Sequence, residues 1–256
     1  MTKAIRVHNT GGPEVMILED VEIGQPGAGE VHVRHTAIGL NFIDVYFRTG
    51  SYPVQTPFTP GFEAAGVVEA VGDGVNNLSV GDRIAYAAPP IGAYAEERLI
   101  AADRVVKLPD EIADRVGAAI MLKGMTTEYL LRRTYAISAG DTILFHAAAG
   151  GVGLMACQWE SHLGATVIGT VGSEEKADLA RAHGCHHTII YTREDFVEQV
   201  NQITDGKGVN VVYDSVGKDT FLKGLDCLQP LGTMVLFGAS SGTPDPIDPA
   251  LLQAKG

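Results

Sequence analysis

The stretch that most restricts the fold of this chain is Gly140-Asp141-Thr142-Ile143-Leu144-Phe145-His146-Ala147-Ala148-Ala149-Gly150-Gly151-Val152-Gly153. Its apolar run, Ile143 to Phe145, reads as a buried parallel strand, and it passes through small residues directly into an apolar-periodic helical segment, Val152 to Leu163. Glycines at such a strand-to-helix turn let backbone N–H groups approach an anion, which unpartnered donors and the helix dipole both favour. The spacing Ala148-x-Gly150-x-x-Gly153 is the dinucleotide fingerprint with alanine in its first slot. A turn needed only for close strand-helix packing would carry the same glycines, so context has to decide.

Ala165 to Val171 supplies a second β-branched strand after a helix of ordinary length, which completes a β-α-β unit. An NAD-specific site places an acidic residue at the end of this strand, roughly 20 residues past the glycines. Val171 stands there instead, followed by Gly172-Ser173-Glu174-Glu175-Lys176. A hydroxyl and a cation at that place suit a 2′-phosphate, so NADPH is expected over NADH. Ser173 is equally suited to cap the helix that contains Lys176.

The 256 residues suffice for two ordinary domains. Hydrophobic residues make up 45% and charged residues 20%, as in a soluble globular protein, and no apolar run approaches the length of a membrane span. A net charge of -12 with scattered Lys and Arg argues against a nucleic-acid partner. The start, Met1-Thr2-Lys3-Ala4-Ile5-Arg6, shows strand-like patterning without a signal-peptide core, and a cytoplasmic protein is expected. Cys157, Cys185 and Cys227 lack paired or metal-ligand spacing and read as small buried hydrophobes. Adjacent strand residues face opposite ways, so Cys185-His186-His187 is a poor ligand set, and no metal site is expected.

Residues 1–124 read as a β-rich domain of short strands, including Glu30 to Gly39 and Ala64 to Gly72, separated by Gly/Pro turns. A helix is expected from near Asp110, with Val116, Ala119, Ile120 and Leu122 lining one face, and a second helical stretch from Thr126 to Tyr135. Residues 125–256 then alternate strands (Thr142 to Phe145, Thr166 to Val171, Thr188 to Ile190, Val209 to Tyr213, Thr233 to Phe237) with helices such as Glu174 to His183. That alternation predicts an α/β doubly wound parallel sheet of five strands.

The pattern Gly140-Asp141-x-x-Leu144-x-x-x-Ala148-Ala149-Gly150-Gly151-x-Gly153-x-x-x-x-Gln158 resembles the NADPH:quinone oxidoreductase branch of the medium-chain dehydrogenase/reductases, the branch that includes zeta-crystallin. Gly61-Phe62-Glu63-Ala64-Ala65-Gly66, Gly92-Ala93-Tyr94-Ala95-Glu96, Val106-x-Leu108-Pro109-Asp110, Val211 to Gly217 and Phe237 to Gly242 extend the likeness along the whole chain. The resemblance implies a GroES-like β-rich domain followed by a Rossmann domain, and NADPH as cofactor. It places Asn41 and Tyr46 toward the nicotinamide, has Thr126 reach the cofactor from the helix between the domains, and sets Gly150, Gly151, Val152 and Gly153 at the pyrophosphate and Ser173, Lys176 and Tyr191 around the adenosine 2′-phosphate. Ser215, Phe237, Gly238 and Ser240 complete the cofactor set at strand ends.

Zinc-dependent members carry a cysteine and a histidine where this chain has Asn41 and Phe62, and neither is a soft zinc ligand. The activity implied is hydride transfer to a quinone or related α,β-unsaturated carbonyl without zinc, with Asn41, Tyr46 and Tyr52 as candidates to stabilise the developing oxyanion or relay a proton. The alternative is an NADPH-binding sensor or structural protein with little turnover. His146 reads as a core residue. Relatives pair through an edge strand, so a homodimer is implied, with Thr233 to Phe237 as the contact. Relatives also continue past the position of Gly256, so the last part of the Rossmann sheet is expected to be missing from the 256 residues, with poor solubility if the polypeptide ends there.

Overall fold

A computed structural model describes residues 1–254. The chain divides into two compact units, Met1–Met125 and a second that begins at Thr126.

In the first unit, β1 (Thr2–Val7) and β2 (Met16–Val21) form an antiparallel hairpin. Next come β3 (Glu30–Gly39), α1 (Phe42–Thr49), β4 (Glu63–Val71), β5 (Arg83–Ala87), β6 (Glu97–Ala101) and β7 (Val106–Lys107). The last five strands make one antiparallel sheet in the order β6-β3-β4-β5-β7. Alternation sends Val31 and Val33 of β3 inward with Val68, Ile84, Tyr86 and Ile100, all sealed from solvent. Irregular register between β3 and β4 at His32/Val33 and His35/Ala37 bends the pair.

The connecting helix differs from expectation at both ends. It begins at Asp114, four residues late, and runs unbroken as α2 (Asp114–Tyr129) into a π-helical turn over Leu130–Thr134. The late start has a local cause: the Arg83 guanidinium gathers the carbonyls of Pro109, Asp110 and Ile112 and the Asp114 carboxylate, holding that segment out of a helical ladder. No breaker stands between Leu122 and Thr126, since a lone Gly124 weakens a helix without ending it. The expected apolar face is also corrected. Val116 and Ile120 are exposed, as is Ala119, while Gly117 and Ala118 turn inward against Leu108 and Ala85.

The second unit runs β8 (Thr142–Phe145), α3 (Gly151–His162), β9 (Thr166–Val171), α4 (Glu174–Ala182), β10 (His187–Ile190), α5 (Phe196–Ile203), β11 (Val209–Asp214), α6 (Phe221–Asp226), β12 (Leu228–Leu236) and a short α7 (Ala250–Ala254). Its five strands are all parallel, in the order β10-β9-β8-β11-β12. Successive side chains alternate faces: Ile143 and Phe145 pack with Ala156 of α3, whereas Leu144 and Ile168 pack with Phe196 and Val200 of α5. Both faces are therefore apolar and covered, as parallel strands require. The strand order reverses between β8 and β11, where such sheets open a crevice at their carboxyl ends. No helix among the described residues is long and apolar enough to cross a membrane.

Candidate functional site

A cleft of about 790 Å³ lies in that position in the second unit. Residues after β8 (His146, Ala147, Gly150), at the end of β9 (Thr170, Val171), on α4 (Lys176), after β10 (Tyr191, Arg193) and beyond β11 and β12 (Val216, Ser240) line it. The sequence fixes this locally. β8 passes into the turn through Ala147, which takes the left-handed φ of 57° without being glycine, and Gly150 N–H closes the turn on the Ala147 carbonyl at 2.8 Å.

The fingerprint residues divide by role. A Cβ on Gly153 would stand 2.5 Å from the Ala147 carbonyl oxygen and 2.6 Å from that of Ala148, so this glycine serves close strand-helix packing. Gly150 is the N-cap of α3 and offers no side chain to the first-turn N–H groups, which leaves those donors to a ligand. Gly151, Val152 and Gly153 form that first turn. The packing reading thus holds at Gly153, and at Gly150 the first-turn donors are free of a side-chain cap.

Ser173 caps α4, its hydroxyl accepting the Lys176 N–H at 3.3 Å. The Lys176 ammonium has no ion-pair or hydrogen-bond partner among the described residues, in contrast to its neighbours: Arg193 is paired with Glu174, and Lys223 with Asp195 at 2.9 Å. Tyr191 is exposed, and Gly172 leaves room for its hydroxyl, which lies 3.0 Å from where a Cβ would be. At the far side, Ser240 N–H donates to the Ser215 carbonyl at 3.1 Å, and Gly238 approaches Ser215 so closely that a Cβ would stand 2.9 Å from that oxygen. Phe237 packs on Phe145 at 5.8 Å and belongs to the core cluster rather than the cleft wall.

Sequence reasoning passed over Asp214 here and read His146 only as a core residue. His146 is sealed from solvent yet borders the cleft; its Nδ1 meets the Thr170 hydroxyl at 2.9 Å and its Nε2 has no partner. Burial lowers its pKa to about 4, so it is a neutral imidazole. Asp214, at the end of β11, accepts from the N–H groups of Val216 and Gly217 and from the Thr220 hydroxyl, which shapes the loop under Val216. A carboxylate ending a strand before a serine-glycine turn was the available signal for Asp214. The core reading of His146 holds, and no sequence signal placed it at the cleft.

The remaining predicted residues lie in the first unit, apart from Thr126. Asn41 is the N-cap of α1 and only 7% exposed. Its Nδ2 donates to Glu63 Oε2 at 2.7 Å, and its Oδ1 accepts from Lys123 Nζ at 2.7 Å. Asp44 accepts the Asn41 N–H at 3.0 Å and the Tyr94 hydroxyl at 2.9 Å through one oxygen, while the other has no partner; burial raises its pKa above the usual carboxylate range. Tyr46 and Tyr52 meet at 5.1 Å, with Phe42 on Tyr46 and Phe47 on Tyr52. Gly50 at a φ of 82° ends α1 and folds Tyr52 back so that its N–H reaches the Tyr46 carbonyl. Thr126 stands half-buried on α2. Among the described residues, no three His, Cys, Asp or Glu side chains gather as metal ligands.

Two family descriptions match the chain: "Alcohol dehydrogenase GroES-like domain" over residues 27–110 and "Zinc-binding dehydrogenase" over residues 151–256. A quinone oxidoreductase of Pseudomonas aeruginosa is 53% identical over 100% of this chain and 79% of its own length. The chain belongs to the quinone oxidoreductase family. A 2-haloacrylate reductase of Burkholderia sp is 52% identical over 96% of this chain and 76% of its own. The crystal structure of the Escherichia coli quinone oxidoreductase complexed with NADPH superposes with a TM-score of 0.97 at 48% identity, covering 99% of this chain and 78% of that one. The GroES-like β domain and the parallel Rossmann-type sheet expected from the sequence are those of this family.

Proposed function

We propose that this protein is an NADPH-dependent reductase that passes hydride to a quinone or to a related activated, unsaturated compound, with no part for zinc. The observation that carries the reading is the pairing, in one cleft, of a helix N-terminus without a side-chain cap and the unpartnered Lys176 ammonium. These are the two groups that a pyrophosphate and a 2′-phosphate need. The absence of an acidic residue at Val171 fits the same nucleotide. Relatives named as quinone oxidoreductases and as a 2-haloacrylate reductase supply the acceptor class.

NADPH, when bound, supplies the hydride, and the protein supplies position and dryness. The backbone of Gly150, Gly151, Val152 and Gly153 holds the pyrophosphate. Ser173 and Lys176 hold the 2′-phosphate, with Tyr191 beside the adenosine. The loops carrying Ser215, Phe237, Gly238 and Ser240, tied together by the Ser240 N–H bond to Ser215, fix the strand-end wall. Asn41 and Tyr46 serve the nicotinamide side, Thr126 reaches the cofactor from its helix, and Asn41, Tyr46 and Tyr52 offer N–H and O–H donors to the negative oxygen that develops on the acceptor. The same reading places the protein in the cytoplasm as a homodimer paired through β12, an edge strand among the described residues, with Leu231 and Leu236 exposed.

The test is titration of the purified protein with NADPH and with NADH, followed by nucleotide fluorescence, for wild type and Lys176→Ala, together with turnover on a panel of quinones and enones. Preference for NADPH that falls by about 10- to 100-fold in the variant, toward the NADH level, is expected from loss of one charge-assisted phosphate contact. Equal affinities for both nucleotides in wild type would sink the cofactor assignment. NADPH binding without turnover on any acceptor would leave a binding protein in place of a reductase.

A further inference from the structure

A carboxamide has two ends of nearly the same shape and opposite hydrogen-bonding sense, so an asparagine beside a ligand can present either its oxygen or its amine. Asn41 cannot. Its Nδ2 faces the Glu63 carboxylate and its Oδ1 faces the Lys123 ammonium, each at 2.7 Å, and turning the amide over would set oxygen against carboxylate and amine against ammonium. Both repulsions would fall where Asn41 is 7% exposed and Glu63 is sealed, so little solvent would screen them.

The two charges are themselves anchored. Glu63 Oε1 accepts the Leu122 N–H at 2.8 Å, a donor from the interior of α2 one residue before Lys123, so the carboxylate and the lysine are joined through one helical turn. Lys123 Nζ also reaches the Leu40 carbonyl at 3.3 Å and Glu63 Oε2 at 3.4 Å. Gly39 makes the approach possible, because a Cβ there would overlap the Ala118 carbonyl of α2 and stand 2.5 Å from Glu63 Oε2. Four consecutive requirements of the fold thus converge on one amide.

We propose that Lys123 and Glu63 are positioning residues that lock the Asn41 carboxamide in a single orientation, committing one of its N–H donors to Glu63 and holding the second in a fixed direction for the ligand. The proposal rests on the reading of Asn41 as a nicotinamide-side donor. Neither Lys123 nor Glu63 touches the reacting groups; both act through the amide. An amide already held in place loses no rotamer freedom when the ligand arrives, and a fixed donor stabilises developing charge without reorganising.

Lys123→Met alone would strand a buried carboxylate, so the test removes both charges together. Glu63→Gln/Lys123→Met deletes the clamp, Asn41→Ala deletes the clamped group, and the triple variant deletes both; Lys123→Arg keeps the cation. Each full-length protein is titrated with NADPH by fluorescence and assayed for kcat and KM on one quinone. Loss of the clamp is expected to lower kcat by about 10- to 100-fold, the range of a misplaced catalytic contact, with the NADPH Kd within about threefold of wild type, the scatter of an unaffected site. The triple variant is expected to match Asn41→Ala within about twofold, since residues acting as a unit are not additive, and Lys123→Arg to recover most of the rate.

Penalties that multiply in the triple variant, or a raised NADPH Kd alongside the lost rate, would mean that the pair is merely structural and would overturn the proposal. So would full activity of the clamp-deleted protein beside an impaired Asn41→Ala. An Asn41→Ala variant with wild-type kinetics would instead overturn the reading of Asn41 itself, and the clamp's function with it.

Discussion

Glu63 and Glu160 are both glutamates sealed completely from solvent, one in each unit, and they are treated in opposite ways. Glu63 uses both oxygens, accepting from the Leu122 N–H, the Asn41 amide and the Lys123 ammonium. Glu160, on α3, has no partner for either oxygen. Its pKa is pushed up to about 8 by burial first and by the neighbouring Cys185 second. Equal burial therefore does not set the energetic role of a carboxyl group; its partners do. The partnered one organises a site, and the unpartnered one is a cost that surrounding packing has to carry.

Removing each carboxylate should move stability in opposite directions, and the larger effect belongs to Glu63. Glu63→Leu takes from the Lys123 ammonium its only carboxylate among the described ion pairs and leaves one Asn41 N–H and the Leu122 N–H without their acceptor, and we expect a loss of about 3 kcal/mol in urea denaturation. Lys123 is 22% exposed, so some of its charge can be rehydrated, which keeps the figure at the lower end for a broken buried pair. A neutral Glu63→Leu would break the comparison at its first term.

Glu160→Gln should stabilise. A glutamate whose folded pKa lies near 8, above the unfolded value of about 4.3, keeps a proton that the unfolded chain releases. Its contribution is fully present below about pH 4.3 and is lost as the pH rises toward 8, with a slope of up to about 1.4 kcal/mol per pH unit. The glutamine variant has no proton to lose there. We expect it to gain about 2 kcal/mol over wild type at pH 6 and next to nothing at pH 4, read from parallel urea titrations at the two pH values. Superimposable pH profiles for the two proteins would show that Glu160 finds partners in solution.

The parts of the molecule legible in sequence were those written in a repeating code. The alternation of strands and helices after Gly140, the five strands of the parallel sheet, and the turn glycines follow from periodicity and from residues with few alternatives. What stayed hidden depends on contacts between distant positions. The late start of α2 is set by Arg83, some thirty residues earlier, through bonds with sequence separations of 26 to 31. Asn41 was singled out in the sequence as a candidate, yet its bond to Lys123, at a separation of 82, was not legible there. The left-handed Ala147 and the buried Glu160 contradict the local preferences of their residue types, so no local signal could announce them.

The smallest effect sharpens the comparison at the start of α4, where the hydroxyl of Ser173 is partnered and the ammonium of Lys176, which lines the cleft, is not. A group whose valence is spent on the fold should yield mainly stability when deleted, and a group with a spare valence should yield mainly binding. Ser173→Ala removes the N-cap of α4 and is expected to cost about 1 kcal/mol of stability in the nucleotide-free protein. Its hydroxyl hydrogen remains available as a donor, so NADPH affinity should fall by only about two- to fivefold, roughly the worth of one ordinary hydrogen bond. Ser173→Gly separates the two roles, because glycine is itself a tolerable N-cap but offers no donor: stability should recover to within a few tenths of a kcal/mol while the loss in affinity persists. If affinity recovered together with stability, Ser173 would serve the nucleotide solely by holding the first turn of α4, and the phosphate contact would belong to Lys176 alone.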